Sequence, residues 1–291
     1  MSAGLLRQRI AEGASARPVQ GHWQPISVCL DQDAGEFLNV GVVFSSGSKV
    51  EVRMLDTFDR MKCLYDRRFD QNDFAHYLLD IEEYLYKTKG DFPDEIDPNI
   101  RLGNKLFAAG ASAEAIVNEY FEDVVTLAKP KGNARNTGFR YTSTPKLREN
   151  IFQIMKQKMH MTASAIIKDE RYRLKMRNGA FMDVDTPLLS ASAAGSIVSA
   201  WYKSPLVVSN NILQGYSDLM VVSSNSDRKT AMSILIPDNE SGLDTIEYQK
   251  LSDAVSRQID RIRNSGVEVL AASSTDVLAN KTIEWWSDKA A

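Results

Sequence analysis

Between Arg171 and Arg177 every second residue is basic: Arg171, Arg173, Lys175 and Arg177 alternate with Tyr172, Leu174 and Met176. Side chains on a strand point to opposite faces in turn. The stretch therefore predicts a strand with one basic face, able to track a phosphate backbone or an acidic protein surface. More cations precede it. Lys129, Lys131, Arg135 and Arg140 lie in a glycine-bearing segment, and Lys156 and Lys158 in a helix-patterned one. From residue 129 to 177 thirteen Lys and Arg stand against three acids, a net +10, which leaves −13 for the rest of a chain whose total is −3. A contrast of that size points to an acidic partner, protein or nucleic acid, or to two regions that neutralise each other. Phe139, Tyr141 and Tyr172 could stack on bases if exposed. The acidic pI of 5.8 argues against a dedicated coater of nucleic acid.

Carboxylates offer a rival chemistry. Asp183, Asp185 and Asp218 could hold Mg²⁺ in an atypical nuclease site. The restriction-endonuclease-like arrangement needs an acid on one strand and an acid-x-Lys on the next. Asp218 could supply the first, at the head of the apolar run 219–222, which reads as a strand. The next strand, Met232-Ser233-Ile234-Leu235-Ile236, has neither acid nor lysine, so a degenerate, non-catalytic relative fits better than an active enzyme. A third reading, an acidic mimic of DNA, rests on Asp73, Asp80, Glu82 and Glu83 on one face of a helix and on the acidic stretch 91–97.

Other chemistries lack their residues. His22, His76 and His160 are scattered, and neither C-x-x-C nor H-E-x-x-H occurs, so no metal is expected. No phosphate-binding glycine loop and no G-x-S-x-G elbow is present, and no cofactor is expected. Cys29 and Cys63 have no obvious activating base. Two cysteines in apolar surroundings fit a reducing cytoplasm better than a disulfide framework. No apolar run is long enough to span a bilayer, and the N-terminus lacks the apolar core of a signal peptide, so no membrane partner is expected.

The elements that must position these residues fall into two halves. Residues 1–22 read as a loose N-terminal arm. Residues 23–128 read as an α+β domain: a strand over 25–30, a second over 38–44, a third over 49–55, joined by turn chemistry at 31–35 and 45–48 into an antiparallel meander, then three helices. Asp70 caps the second helix and Ser112 the third. Residues 129–144 form a basic linker, and 145–291 a second domain with a mixed sheet. There, Thr144-Pro145 opens a helix, Asn178-Gly179 turns a hairpin from the basic strand into 181–185, and strands are read at 197–201, 206–208, 219–222, 231–236 and 267–271. Asp244 or Thr245 opens a long helix that Gly266 ends, and Ser274 or Thr275 caps the last. The class is α+β or α/β, in two domains.

The most organised stretch is Glu36-Phe37-Leu38-Asn39-Val40-Gly41-Val42-Val43-Phe44. A glycine inside a strand pattern suggests a bulge or a close backbone approach. A buried Asn needs partners, so Asn39 is expected to clamp a neighbouring loop. With the strand and turn before it, this stretch resembles a family of uncharacterised prokaryotic proteins that carry an E-F-x-N-[VI]-G-[VI] motif near the N-terminus (domain-of-unknown-function family 3037), over roughly residues 23–90. Glu36, Asn39 and Gly41 carry the motif. Some members are linked to mobile elements or HipA-type kinase toxin loci, and the family has no established catalytic residues. The resemblance implies an accessory protein of phage defence or of a toxin–antitoxin system. The expectation is thus a non-enzymatic interaction protein with a protein partner, using its basic middle and able to meet nucleic acid.

Overall fold

The computed structural model describes residues 18–65, 69–93, 95–128, 139, 141–239 and 241–289. Most of the expected N-terminal arm and the linker cations Lys129, Lys131, Arg135 and Arg140 lie outside the described residues. The fold is mixed α and β. Among the described residues two compact units form: 18–65 with 80–128, and 69–79 with everything from 139 onward.

In the first unit β1 (Val19–Cys29), β2 (Phe37–Ser46) and β3 (Lys49–Met54) form the expected antiparallel meander. Three short strands that the pattern does not announce extend it beyond β1. These are β4 (Glu95–Asp97), β5 (Ile100–Leu102) and β6 (Leu106–Gly110). β5 pairs with the second half of β1 and β6 with the first half. β4 lies in the stretch 91–97 that reads as a loop, because three residues are too few to show a period.

Helices α1 (Asp59–Tyr65), α2 (Gln71–Lys87) and α3 (Ala113–Val124) follow the strands as expected. The Asp70 carboxylate accepts from the Asn72 and Asp73 amides, and Ser112 caps α3 through Ala115. Helix α3 covers the sheet. Trp23 stacks on Tyr120 with centroids 4.1 Å apart, and the Arg53 guanidinium lies 4.1 Å over the Phe121 ring. The acidic face expected of α2 is incomplete. Glu82 is 1% exposed and turned inward, and Glu83 is ion-paired with Lys87.

The glycine in β2 has both expected causes. The pairing runs Ile26 to Gly41, then Ser27 to Asn39, so Val40 is an extra residue, a β-bulge. The Leu55 amide donates to the displaced Val40 carbonyl at 2.7 Å. A Cβ on Gly41 would stand 2.5 Å from Met54 Sδ and 2.8 Å from the Arg53 carbonyl oxygen. Asn39 clamps a helix end rather than a loop: its Nδ2 donates to the Val124 carbonyl in the last turn of α3, while its Oδ1 accepts from Ser27. Glu36 is exposed, just ahead of the strand.

The second unit is built on a four-stranded sheet. β10 (Ala193–Ser199), β11 (Lys229–Leu235) and β12 (Glu268–Ala272) are parallel, and β9 (Leu188–Leu189) is antiparallel at the edge of β10. Parallel strands need crossovers, and helices α6 (Pro205–Asn225) and α7 (Thr245–Asn264) supply them. Helices α4 (Thr144–Met159) and α8 (Thr275–Lys289) take the other face, and α5 (Met161–Ile166) is a short continuation of α4. Every residue of β10 is buried, as expected of a strand covered on both sides. Ala193 and Ile197 belong to the core with Leu147, Ile151, Leu278 and Trp286. Ser196 and Val198 face α6, where a Cβ on Gly215 would stand 2.8 Å from each.

Two expected strands are not strands. Residues 206–208 and 219–222 both belong to α6. This helix is buried against the sheet and α7, so its apolar residues crowd into runs that hide the helical period. Its start was legible: Ser204-Pro205 repeats the signature that opens α4. The cap of α4 is Ser143 rather than Thr144, with Ser143 Oγ accepting from the Lys146 amide at 3.3 Å. Thr144 Oγ1 is instead a buried acceptor for the Ser199 amide and the Asn211 side chain. Asp244 opens α7 in a full capping box with Glu247.

Candidate interaction surface

The alternating basic stretch is a strand. β7 (Tyr172–Lys175) pairs antiparallel with β8 (Phe181–Val184) in a two-stranded sheet of its own. The turn holds Asn178-Gly179 inside a five-residue loop, with Gly179 at φ +86° and the Met176 amide bonded to the Ala180 carbonyl. The register sets Arg173 opposite Asp183 and Lys175 opposite Phe181. Directly opposed residues share a face, so Arg173, Lys175, Phe181 and Asp183 lie together, and all four are exposed. The other face carries Leu174 and Val184, both buried. One side of the hairpin is therefore fixed by packing, and the other is presented outward.

Phe181 is 58% exposed, and the Arg173 guanidinium lies 5.0 Å from its ring centroid. The aromatics named from the sequence sit differently. Tyr172 is half-buried with Arg228 5.8 Å from its ring centroid, and Tyr141 is half-buried against Tyr202 with centroids 5.2 Å apart. Phe139 is half-buried too. Phe181 is the aromatic that sequence reasoning passed over. Its signal was the register: a residue opposite Lys175 must share the basic face.

The hairpin is anchored by charge. Asp185, just beyond β8, accepts from Arg148 Nη1 at 2.7 Å, and Arg148 Nε donates to the Ile197 carbonyl at 3.1 Å. β9 is only two residues long, so that carbonyl lies on a stretch of the β10 edge that no strand covers, and Arg148 serves it. The Asp185 amide in turn donates to the Asp218 carboxylate on α6. Burial, followed by the charge of Asp185, raises Asp218 above the ordinary carboxylate value. The Asp185 amide, Arg171 and Arg148 oppose that rise. At the far end the Arg177 amide donates to Asn225 Oδ1 at 2.9 Å, tying the turn to the end of α6.

Asp183, Asp185 and Asp218 do not gather as a metal site. Asp218 lies in the middle of a helix rather than at a strand end, Asp183 stands exposed on the outward face, and Asp185 is held by Arg148. No group of three side chains able to hold a metal ion occurs among the described residues. Lys156 and Lys158 are exposed in the last turn of α4, where cations complement the helix dipole. Lys158 donates to Asn280 on α8. No described helix is long and apolar enough to cross a membrane. The chain matches no family model, and no curated protein and no solved structure is significantly similar to it.

Proposed function

We propose that this chain is a non-enzymatic interaction protein that meets an acidic partner through the outward face of the β7–β8 hairpin. The observation that carries the reading is that face itself: Arg173, Lys175 and Phe181 exposed together on a hairpin whose inner side is fixed by Leu174 and Val184. A surface organised before binding loses less conformational freedom on capture. Net positive charge on it steers an acidic partner and fixes its register. The context we propose is an accessory component of a cytoplasmic prokaryotic assembly, of the phage-defence or toxin–antitoxin kind. The resemblance of residues 36–43 supports that context, and a content of only two cysteines fits a reducing compartment.

The test is capture from an extract of a prokaryotic host, washed at low and high salt, comparing the parent chain with Arg173→Glu/Lys175→Glu. A partner retained at low salt, released at high salt and lost by the charge-reversed variant supports the reading. Retention of the same partner by both proteins overturns it.

A further inference from the structure

Building on the reading of the hairpin as the interaction surface, we infer that its outward face binds a short run of single-stranded nucleic acid, with a base stacked on Phe181 and the backbone held by Lys175, Arg177 and Arg173. Three features of that face lead there.

The first is the open ring. Phe181 leaves 58% of its surface in water at the turn end of a strand pair whose other face buries Leu174 and Val184. The register places Lys175 directly opposite it, and the Arg173 guanidinium, two residues along the same strand, lies 5.0 Å from the ring centroid. A flat ring flanked by two cations suits a base with its attached phosphates, and stacking of this kind is indifferent to sequence.

The second is spacing. Arg173 and Lys175 are two residues apart on β7, so they stand about 7 Å apart along the strand, and Arg177 is exposed in the turn that follows. Such a row can follow an extended backbone for a few nucleotides. Asp183 is the one acid on this face and lies opposite Arg173. It disfavours phosphate there, which places the strongest backbone contacts at the Lys175–Arg177 end.

The third separates the candidate ligands. An acidic peptide would pair with the cations but make no use of the ring. A duplex keeps its base faces stacked inside and offers only its edges and phosphates. An unpaired strand uses both the ring and the cations.

The experiment measures anisotropy of fluorescent oligo(dT) and oligo(U) of about 12 nucleotides, and of a duplex of the same length, with the full chain. Titrations run at about 50 and 200 mM salt. The expected result is binding of a single strand about tenfold or more tighter than the duplex, with a steep fall at the higher salt. Phe181→Ala should weaken it about tenfold and Phe181→Tyr should leave it near the parent value. Arg173→Glu/Lys175→Glu should abolish it. All four side chains on this face are exposed, so each variant should keep the parent's circular dichroism spectrum, which is recorded first as the check on folding. Equal or tighter binding of the duplex, an unchanged affinity in Phe181→Ala, or no binding at the lower salt overturns the inference. If oligonucleotides fail to bind while the charge-reversed variant still loses a nuclease-resistant protein from the extract, the ligand inference falls and the interaction surface stands. If neither depends on the hairpin, both fall.

Discussion

Asn39 donates its side-chain amide to the Val124 carbonyl, 85 residues away in the chain and 3.2 Å away in space. Val124 ends α3, where carbonyls have no partner within the helix. The bulge at Val40 is what turns Asn39 toward that helix end. Asn39→Ala should cost about 1 kcal/mol, the typical net loss for a hydrogen bond between half-buried groups. Asn39→Asp should cost more, because a carboxylate cannot donate and would face the carbonyl. Urea denaturation of the two variants checks the order.

Gly41 sits where a side chain has no room. The Met54 thioether is flexible and could move, but the Arg53 carbonyl belongs to the paired strand β3. Gly41→Ala should therefore destabilise by about 2–3 kcal/mol, as overpacking of a filled core does. Gly35→Ala, at a turn with φ +64° and open space around it, should show only the milder cost of a left-handed backbone. Thermal melts of both variants compare the two mechanisms. A Gly41→Ala protein as stable as the parent would mean that β3 shifts freely.

Arg148 serves two acceptors with one guanidinium. Arg148→Ala removes partners from both the Ile197 carbonyl and the Asp185 carboxylate, which should cost about 2–3 kcal/mol. A double-mutant cycle with Asp185→Asn isolates the ion pair from the carbonyl bond. Additive losses would show that the pair contributes nothing beyond its separate contacts. Loss of the anchor should also loosen the hairpin, seen as faster amide exchange over residues 172–184 while β10 stays protected.

Asp218 makes stability depend on pH in a defined direction. Its value in the folded chain is raised, chiefly by burial and then by Asp185. The folded state thus holds this proton more tightly than the unfolded state does. The contribution is fully present below the unfolded value near 3.9 and is lost as pH rises through the raised folded value. Asp218→Asn removes that loss and can still accept the Asp185 amide through Oδ1. The variant should gain on the parent in stability as pH rises from 4 toward neutrality, read from denaturation midpoints at several pH values. Parallel curves for the two proteins would rule the effect out.

The sequence carried the local grammar of this fold better than its long-range logic. The meander, the caps at Asp70, Ser112 and Asp244, and the glycine at position 266 are written within a few residues of where they act. β4, β5 and β6 were not legible, because each is short and exists only by pairing with a strand distant in the chain or with another short one: β5 and β6 add to β1, and β4 adds to β5. α6 was misread as two strands for a related reason. A helix buried on several sides loses the polar stripe that marks its period, and Asp218, its single charged residue, then looked like a strand end. The basic face of the hairpin was legible from alternation alone. The Phe181 contribution depends on cross-strand register, which no single strand encodes, and the Arg148 anchor depends on where β9 stops.

The hairpin and β10 lie at opposite ends of a scale of local opening. β10 is paired along its whole length with β11, over Ala194 and Gly195 with β9 as well, and has no exposed residue, so its amides should be among the slowest to exchange. β7 and β8 form a two-stranded sheet, an arrangement barely stable by itself, held at its base through Asp185 and at its tip through Arg177. Opening of the hairpin must lift Leu174 and Val184 from their packing but need not unfold β10, so the hairpin amides should exchange ahead of those of the four-stranded sheet. A ligand on its outward face would slow that breathing over about a dozen residues, and the rest of the unit would feel the event through Arg148 and Asp218 at the base and Asn225 at the tip.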